Sequence, residues 1–260
     1  MTGRTFDRVF VRPPGRRYSG CVSDNPERTS VDLALALRQH ADYVSILRES
    51  GIAVTELLPV HEYPDSCFLQ DVALLTARTA VIGRFGEASR RGEERVLEKE
   101  LNGLLPMRRI KEPGTLEGGD ILVTDDSIFV GVSVRTNVEG VRQLSGHLSD
   151  ARIIPVGTST LHLMSACSYV SNRTIIVAPD CFDDLDVFSG YKLIKIPKEE
   201  MYAANVLYLG QGRVMVPSGY PKTEALLKES ALEPTLIDNS EFRKCDGGLS
   251  CLSLPSYKTV

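Results

Sequence analysis

Apolar residues along the chain follow two different spacings. Short runs rich in β-branched residues predict strands, because such side chains suit a pleated and partly buried sheet. Longer segments whose apolar residues recur every three or four positions predict helices. The predicted strands are Arg8 to Arg12, Ala53 to Leu58, Val72 to Thr76, Thr79 to Arg84, Ile121 to Thr124, Ser127 to Val132, Arg152 to Val156, Thr174 to Ala178 and Arg213 to Val216. The predicted helices are Ser30 to Ser50, Gly92 to Leu105, Asn137 to Ser149 and Pro221 to Ser230.

The first predicted helix has the clearest boundaries. Thr29 or Ser30 is expected to cap its start, since a side-chain oxygen there can accept from the free backbone N–H groups. Gly51 is expected to end it, because glycine readily takes the left-handed conformation found at helix C-termini.

Strands and helices recur in one order. Two pairs of strands are joined by the short turns Ala77-Arg78 and Asp125-Asp126, and each pair is followed by a helix and another strand. Equivalent helices lie roughly fifty residues apart, a period typical of repeated units. This order hints at a repeated strand-strand-helix-strand unit, but periodicity alone supports an α/β fold and nothing finer. No Pro-, Gly- or Ser-rich linker of interdomain length interrupts it, which predicts a single domain over residues 1–260.

Composition and charge narrow the class of partner. With 42% hydrophobic and 25% charged residues, the chain is expected to fold around a core rather than stay disordered. A net charge of -4 lacks the basic surface that binds phosphate backbones, so we expect no nucleic acid partner. The first ten residues contain no apolar stretch that could serve as a signal sequence or membrane span. We therefore expect a cytoplasmic protein with a small-molecule partner and no membrane partner.

Six cysteines and four histidines are the candidates for nucleophilic or metal chemistry. The cysteines lack CxxC spacing, which in a cytoplasmic chain predicts free thiols, and we expect Cys245 to be structural. The histidines form no HxH, HxxxH or HExxH pattern, so we expect neither a metal nor another cofactor. The cysteines are Cys21, Cys67, Cys167, Cys181, Cys245 and Cys251.

Cys251 is the best placed nucleophile. It follows Gly247-Gly248, where glycine allows a ligand to approach the backbone closely, and it precedes a short apolar segment. His162 stands in a strand-like, apolar context, and an imidazole suits proton transfer near neutral pH. Taken alone, either residue is more often a buried structural side chain.

Charged residues stand where predicted strands begin or end. Asp65 and Asp71 share one segment, and Glu117 is close to Asp120 in Thr115-Leu-Glu-Gly-Gly-Asp120. Paired carboxylates suit a planar guanidinium, which offers its donors in a fork. The competing interpretation of Glu117 to Asp120 is a plain turn that leads into a strand.

Two arginines end apolar strands and are candidates for a ligand carboxylate. Arg84 ends Val81-Ile-Gly-Arg84, and Arg135 lies in Val132-Ser-Val-Arg-Thr-Asn137. Arginine makes bidentate contacts with a carboxylate that lysine makes less well. A solvated charge at a strand end is the alternative for each.

Together these segments resemble the dimethylarginine dimethylaminohydrolases, members of the guanidine-modifying superfamily. Each motif is short, but six occur in the same order at compatible spacing along nearly the whole chain. The motifs are Pro64-Asp-Ser-Cys-Phe-Leu-Gln-Asp71, Arg90-Arg-Gly-Glu93, Leu116-Glu-Gly-Gly-Asp120, Arg135-Thr-Asn137, Leu161-His-Leu163 and Asp246-Gly-Gly-Leu-Ser-Cys251.

The resemblance implies a fold and a reaction. The implied fold is the pentein fold, a five-bladed α/β propeller of ββαβ modules around a central active-site channel. The implied reaction is the hydrolysis of Nω,Nω-dimethylarginine and Nω-monomethylarginine to citrulline and an amine through a covalent thiouronium intermediate. Cys251 would attack the guanidinium carbon, and His162 would protonate the departing amine and then activate water.

The resemblance also implies how the substrate is held. Glu117, counted with the catalytic residues, and Asp71 would bind the guanidinium. Asp65 would accept from the α-ammonium group, and Arg84 with Arg135 would bind the carboxylate. Segment 15–21 would be a mobile lid. The resemblance leaves open whether the protein is a monomer or a homodimer.

One position departs from the family pattern. Gln70 stands where these hydrolases usually carry a glutamate, and an amide accepts hydrogen bonds without a charge. The identity of the substituted arginine therefore stays open.

Four alternatives compete with this interpretation. The first is an arginine deiminase, which usually carries an aspartate where this chain has Met164 and usually has a longer chain. The second is a hydrolase of another N-substituted arginine, which is compatible with Gln70. A manganese arginase would need a histidine at Ile121 and a DxHxD motif. A non-enzymatic pentein would have little reason to combine Cys251, His162 and Glu117.

Overall fold

The computed structural model describes residues 3–258, so the two residues at each end that the predicted single domain includes lie outside the described part. The fold is α/β. Its helices are α1 (Leu33–Glu49), α2 (Glu93–Leu101), α3 (Val138–His147), α4 (Pro221–Glu229) and α5 (Ser240–Arg243). Its strands are β1 (Phe6–Val11), β2 (Ala53–Glu56), β3 (Ala73–Thr76), β4 (Ala80–Ile82), β5 (Met107–Arg109), β6 (Ile121–Val123), β7 (Ile128–Val132), β8 (Ile153–Gly157), β9 (Cys167–Ser171), β10 (Thr174–Val177), β11 (Lys192–Lys195), β12 (Leu207–Gly210), β13 (Arg213–Pro217), β14 (Glu233–Ile237) and β15 (Ser253–Tyr257).

The strands form five three-stranded blades with one connectivity. In each blade two strands pair antiparallel and a third pairs parallel with the second, as in β3, β4 and β5. Parallel pairing needs a crossover, and α1, α2, α3 and α4 supply it in four blades. In the blade of β9, β10 and β11 two 3-10 turns replace the helix. The predicted α/β fold of repeated strand-strand-helix-strand units is confirmed.

The two ends of the chain meet in one blade. Strand β15 pairs antiparallel with β1, and β1 pairs parallel with β2, so the repeat is completed by segments from opposite termini. Strand β15 also pairs with β3, which joins this blade to the next in a six-stranded sheet. Tyr43 of α1 fastens the helix to this blade, since its hydroxyl donates to Ser253 Oγ over 2.8 Å in the buried core.

All nine predicted strands and all four predicted helices are confirmed, with shifted ends. Helix α1 starts later than predicted, because Asp32 rather than Thr29 or Ser30 caps it: its carboxylate accepts from Ala34 N at 2.8 Å. Residues 26–30 form a separate 3-10 helix capped by Asn25. Gly51 follows the helix with a φ of +70°, as expected of a residue that ends one.

Six strands and the short α5 were not predicted from the sequence. Strands β5, β11 and β14 are third strands of blades and have mixed polar sequences with exposed residues, so they lack an apolar run. Strand β9 is buried throughout although two of its five residues are serines. Strand β15 contains Pro255, which argues against a strand when judged from the sequence.

The prediction that all cysteines are free thiols is wrong for one pair. Cys21 and Cys245 form a disulfide with a Cα–Cα distance of 5.9 Å, although 224 positions separate them in the chain. Sequence spacing reveals only local pairs, and this pair depends on tertiary structure. Cys67, Cys167, Cys181 and Cys251 are free. The structural role expected of Cys245 fits its place in this bond.

No helix in residues 3–258 is long and apolar enough to cross a membrane.

The disulfide should add to the stability of the folded chain. A bond between residues so far apart restricts the unfolded chain, and native disulfides typically contribute about 2 to 4 kcal/mol. We expect the double variant C21S/C245S to lose about that much free energy of unfolding in urea titrations. A reductant should bring the wild-type protein down to the same value and leave the variant unchanged. Equal stability of the oxidised wild-type protein and the variant would contradict this prediction.

Candidate active site

The candidate residues occupy equivalent places in the repeat. Four blades are entered through a short 3-10 turn that precedes the first strand. Gln70 and Asp71 lie on the turn before β3, and Glu117 directly precedes the turn before β6. His162 directly precedes the turn before β9, and Cys251 lies on the turn before β15. Neighbouring turns touch one another, so residues far apart in the chain converge.

Glu117 and His162 form a buried pair. The imidazole Nε2 lies 2.8 Å from Glu117 Oε2, and Glu117 is fully buried. The other carboxylate oxygen accepts from Gly86 N at 2.9 Å and more weakly from Glu87 N. Backbone donors therefore fix the carboxylate so that it faces the ring.

Asp71 supplies a second negative charge on the other side of the ring. Its Oδ1 lies 3.9 Å from His162 Nδ1, and its Oδ2 accepts from Arg90 Nη1 at 2.6 Å. Arg90 is buried, and it also donates to both oxygens of Glu93, at 3.1 and 3.0 Å. No role for Arg90 was predicted from the sequence. The available signal was the motif Arg90-Arg-Gly-Glu93, which places an arginine three positions before a glutamate at the start of α2.

Electrostatics keep this imidazole charged. Burial alone lowers the pKa of His162, but the charge of Asp71 and the hydrogen bond to Glu117 outweigh burial and raise its pKa to about 9. Burial likewise raises the pKa of Asp71, yet the facing imidazolium and Arg90 lower it below its usual range. At neutral pH the site thus holds a protonated ring between two carboxylates. This ring can act as a proton donor.

Asp120 fixes the turn that carries His162. Its Oδ1 accepts from Leu163 N at 2.8 Å, and its Oδ2 accepts from Ser133 Oγ at 2.7 Å. The backbone next to His162 is therefore held from the neighbouring blade. Asp120, noted in the sequence only as part of an acidic cluster, fixes the backbone next to the His162 ring.

Cys251 is half-buried beside the same charges. Its Sγ accepts from Gly248 N at 3.4 Å, within the tight bend that precedes it. Burial, together with the negative charge of Asp71, raises the pKa of its thiol to about 12. In this state the sulfur carries a proton, and it needs a nearby positive charge to become a strong nucleophile.

The two glycines before Cys251 serve a purpose other than the predicted one. A Cβ on Gly247 would lie 2.3 Å from Phe68 Cε1, and a Cβ on Gly248 would lie 2.4 Å from Asn205 Cγ. The space next to these glycines is thus filled by the protein itself. They allow the bend to pack tightly, rather than allow a ligand to approach the backbone.

Gln70 is a neutral side chain next to Asp71. Together with Asp71, Glu117 and His162 it forms a buried wall. Its amide nitrogen Nε2 donates to Met164 Sδ over 3.2 Å, so its amide oxygen Oε1 faces away from Met164. Within residues 3–258 neither Gln70 Oε1 nor Asp71 Oδ1 has a hydrogen-bond donor, although both atoms are buried. Buried acceptors without donors are costly, so these two atoms suit a ligand that brings N–H groups.

An open cleft of about 730 Å³ lies beside this wall, since it is lined by Glu87, whose amide donates to Glu117, and by Leu161, the chain neighbour of His162. Arg135 lines the cleft, and its guanidinium lies 3.4 Å from the carboxylate of Glu87. Asp65 is buried nearby, and its carboxylate accepts from Val22 N at 3.1 and 3.3 Å. Segment 22–25 lines the cleft, directly after the predicted lid segment 15–21.

Arg84 is not brought to this site. Its guanidinium lies 3.6 Å from Glu112 and donates to Gly114 O at 3.4 Å, and it lines a separate groove on the surface. Of the predicted site residues, the structure brings Cys251, His162, Glu117, Asp71, Gln70, Asp65 and Arg135 to one region and leaves Arg84 outside it.

Three of these side chains could also hold a cation. Asp71, Glu117 and His162 each offer one ligand atom, and the three atoms lie within 4.8 Å of one another. In this structure His162 Nε2 is already engaged with Glu117, and Nδ1 faces Asp71. Metal-free chemistry stays a prediction.

Comparison with known proteins identifies the family. The family model for eukaryotic N,N dimethylarginine dimethylhydrolase matches residues 23–251. The N(G),N(G)-dimethylarginine dimethylaminohydrolase of Pseudomonas aeruginosa is 36% identical over 96% of this chain and 99% of its own length. The enzyme of the same name from Streptomyces coelicolor is 36% identical over 95% of this chain and 96% of its own.

A solved structure of a family member has the same fold. A cysteine-to-serine variant of the dimethylarginine dimethylaminohydrolase from Pseudomonas aeruginosa, in complex with citrulline, superposes with a TM-score of 0.90 at 34% identity. The match covers 97% of this chain and 100% of the other. These findings confirm the predicted pentein fold and the predicted class of cysteine-dependent amidinohydrolase. The chain belongs to the dimethylarginine dimethylaminohydrolase family.

Proposed function

We propose that this protein hydrolyses Nω,Nω-dimethylarginine and Nω-monomethylarginine to citrulline and dimethylamine or methylamine. The observation that carries the proposal is the position of His162 between Glu117, 2.8 Å from Nε2, and Asp71, 3.9 Å from Nδ1, with the charge of Asp71 also acting on the Cys251 thiol. This arrangement combines a nucleophile, a proton donor and a negative surface for a cation. The names of the relatives point to the same reaction.

The buried wall suits a guanidinium group. Asp71 Oδ1 and Gln70 Oε1 are acceptors without donors, and a planar guanidinium brings N–H donors in a fork. Glu117 adds a second carboxylate at the same place. Binding at this wall positions the guanidinium carbon near the sulfur, and such orientation accounts for much of the rate enhancement of enzymes.

The substrate itself activates the thiol. The negative field of Asp71 keeps the thiol protonated in the free enzyme. A bound guanidinium offsets that field, so the thiol loses its proton to solvent as the cation binds. The thiolate then attacks the guanidinium carbon and forms a carbon–sulfur bond.

His162 supplies and removes the protons of the two following steps. The imidazolium donates a proton to the substituted nitrogen, the carbon–nitrogen bond breaks, and the amine leaves a thiouronium on Cys251. The neutral ring then takes a proton from water, and the water oxygen attacks the thiouronium carbon. The carbon–sulfur bond breaks with its electron pair returning to sulfur, and the proton of the added hydroxyl passes to the sulfur. Citrulline is released, the thiol is restored, and His162 keeps the proton that it took from water.

The amino acid end of the substrate fits the cleft. Asp65 offers a carboxylate for the α-ammonium group, and Arg135 offers a guanidinium for the α-carboxylate. Because Arg84 is paired with Glu112 away from the cleft, the carboxylate is assigned to Arg135 alone.

The proposed reaction is tested by product analysis. The purified protein is incubated separately with Nω,Nω-dimethylarginine, Nω-monomethylarginine and arginine, and citrulline and released amine are quantified. We expect citrulline with one equivalent of dimethylamine or methylamine from the two methylated substrates. The Cys251→Ser variant should lose turnover by at least about a thousandfold, since the nucleophile is gone.

The free cysteine variant Cys181→Ser is the matched control and should keep full activity. No citrulline from any of the three compounds would overturn the proposed reaction. Full turnover by the Cys251→Ser variant would leave the substrate class standing and remove the thiol mechanism.

A second prediction concerns the charge that controls the thiol. We expect the alkylation of Cys251 by neutral iodoacetamide to be slow at pH 7.5 and to rise without a plateau through pH 10, because burial and Asp71 raise its pKa to about 12. A cationic haloamidine should react faster than the neutral reagent. In the Asp71→Asn variant the neutral reagent should gain and the cationic reagent should lose its advantage.

Rates are measured by loss of activity and by the mass of the Cys251 peptide. The Glu139→Gln variant, which removes a carboxylate on the exposed face of α3, controls for a general change of charge. A plateau in the iodoacetamide rate below pH 9, or the same reagent preference in Asp71→Asn as in the wild-type protein, would contradict this account of the thiol.

A further inference from the structure

The Cys21–Cys245 disulfide joins two segments that both line the cleft. Val22 follows Cys21 directly, and Asp246 follows Cys245 directly; both residues lie in the cleft wall. We propose that this disulfide is a positioning element for the α-ammonium end of the substrate: it holds the Val22 amide on the carboxylate of Asp65. This inference rests on the proposed function and names the part of the substrate that the bond serves.

Asp65 depends on the segment that the disulfide fixes. Both of its oxygens accept from Val22 N, at 3.1 and 3.3 Å, and its side chain is buried. A carboxylate that is bound by one backbone amide keeps free lone pairs for a cationic ligand. The direction in which those lone pairs point is set by the position of Val22, which follows the position of Cys21 in the chain.

Other ties between the two segments lie mostly at the surface. Asn25 donates to Arg243 O at 3.3 Å, Lys244 donates to Ser30 O at 2.9 Å, and Glu27 lies 3.7 Å from Arg243. Exposed contacts of this kind contribute little, because water competes for the same groups. The disulfide is buried at both ends, so it is the strong link next to Val22.

The firmer anchors lie further along the chain on both sides. Tyr18 donates to Glu241 O at 3.2 Å, and Asp32 N donates to Glu241 Oε2 at 2.7 Å. Without the disulfide, the segment between Tyr18 and Asp32 would therefore stay attached at its two ends, and its central part would be less restrained. The middle is where Val22 meets Asp65.

The segment that carries the nucleophile has separate supports. Tyr202 donates to Gly247 O at 2.7 Å, and Asn205 accepts from Ser250 N at 3.0 Å. Gly247 and Gly248 pack closely against Phe68 and Asn205. The position of Cys251 is thus maintained without the disulfide, and we expect binding of the substrate to suffer while the chemical step does not.

The test compares two substrates in the C21S/C245S variant. One is Nω,Nω-dimethylarginine, and the other is its analogue without the α-amino group, 5-(N,N-dimethylguanidino)pentanoate. We expect KM for dimethylarginine to rise about tenfold, as for a weakened charge-assisted hydrogen bond, with kcat nearly unchanged. KM for the analogue should stay the same, since it has no ammonium group for Asp65.

Four controls support the interpretation of the result. Circular dichroism verifies that the variant is folded at the assay temperature, and wild-type protein treated with a dithiol should show the same rise in KM. The Cys181→Ser variant should match the wild-type protein. The Asp65→Asn variant should show the rise in KM for dimethylarginine alone, and adding C21S/C245S to it should change KM little further, because both act on one interaction.

The outcomes separate the two proposals. Equal losses with both substrates, a fall in kcat without a change in KM, or additive effects of Asp65→Asn and C21S/C245S would each overturn the positioning role. A wild-type protein that forms no citrulline from either substrate would overturn the proposed function itself. Unchanged kinetics in the variant of an active enzyme would overturn only the role of the disulfide.

Discussion

The placement of one imidazole between two buried carboxylates is the interaction on which the rest of the site depends. Water is scarce around His162, and burial alone would drive its proton off. Glu117 and Asp71 reverse that tendency from opposite edges of the ring. The protein must then accommodate two carboxylates in its interior, and it surrounds Glu117 with backbone donors and Asp71 with an arginine. The same negative field holds the sulfur as a thiol until a cation arrives.

The repeated architecture brings these groups together. Each side chain that we propose to be catalytic or to bind the guanidinium lies on or just before the turn that enters a blade, and neighbouring turns contact one another. Asp71, Glu117, His162 and Cys251 thus come from four different blades. The blade that carries Cys251 is built from both termini of the chain. The proposed nucleophile is therefore in place only when β15 has paired with β1.

Much of this architecture could be predicted from the sequence, because the strongest signals are local. Runs of β-branched residues revealed the inner strands, and the order of strands and helices revealed the repeat. Three of the five third strands, β5, β11 and β14, were not predicted. Strand β11, with the sequence Lys-Leu-Ile-Lys, pairs along one edge only and carries exposed lysines. The convergence of Cys251, His162 and Glu117 followed from a resemblance, and no spacing rule could have supplied it.

What the sequence could not reveal depends on tertiary structure. Arg84 ends a predicted strand and Arg90 precedes a predicted helix, and the sequence does not show that Arg84 faces a surface groove while Arg90 is buried against Asp71. Cys21 and Cys245 are neighbours only in the folded chain. The role of Gly247 and Gly248 was mistaken because the partners that fill the adjacent space, Phe68 and Asn205, come from other blades.

The protonation state of His162 tests the central claim most directly. The protein is labelled with ¹⁵N in its histidine rings, and the His162 signals are assigned by their loss in the His162→Gln variant. The account predicts that both ring nitrogens carry protons at pH 7.5 and that the ring titrates near pH 9. A neutral ring with one unprotonated nitrogen at pH 7.5 would contradict it, because the site would then lack its proton donor.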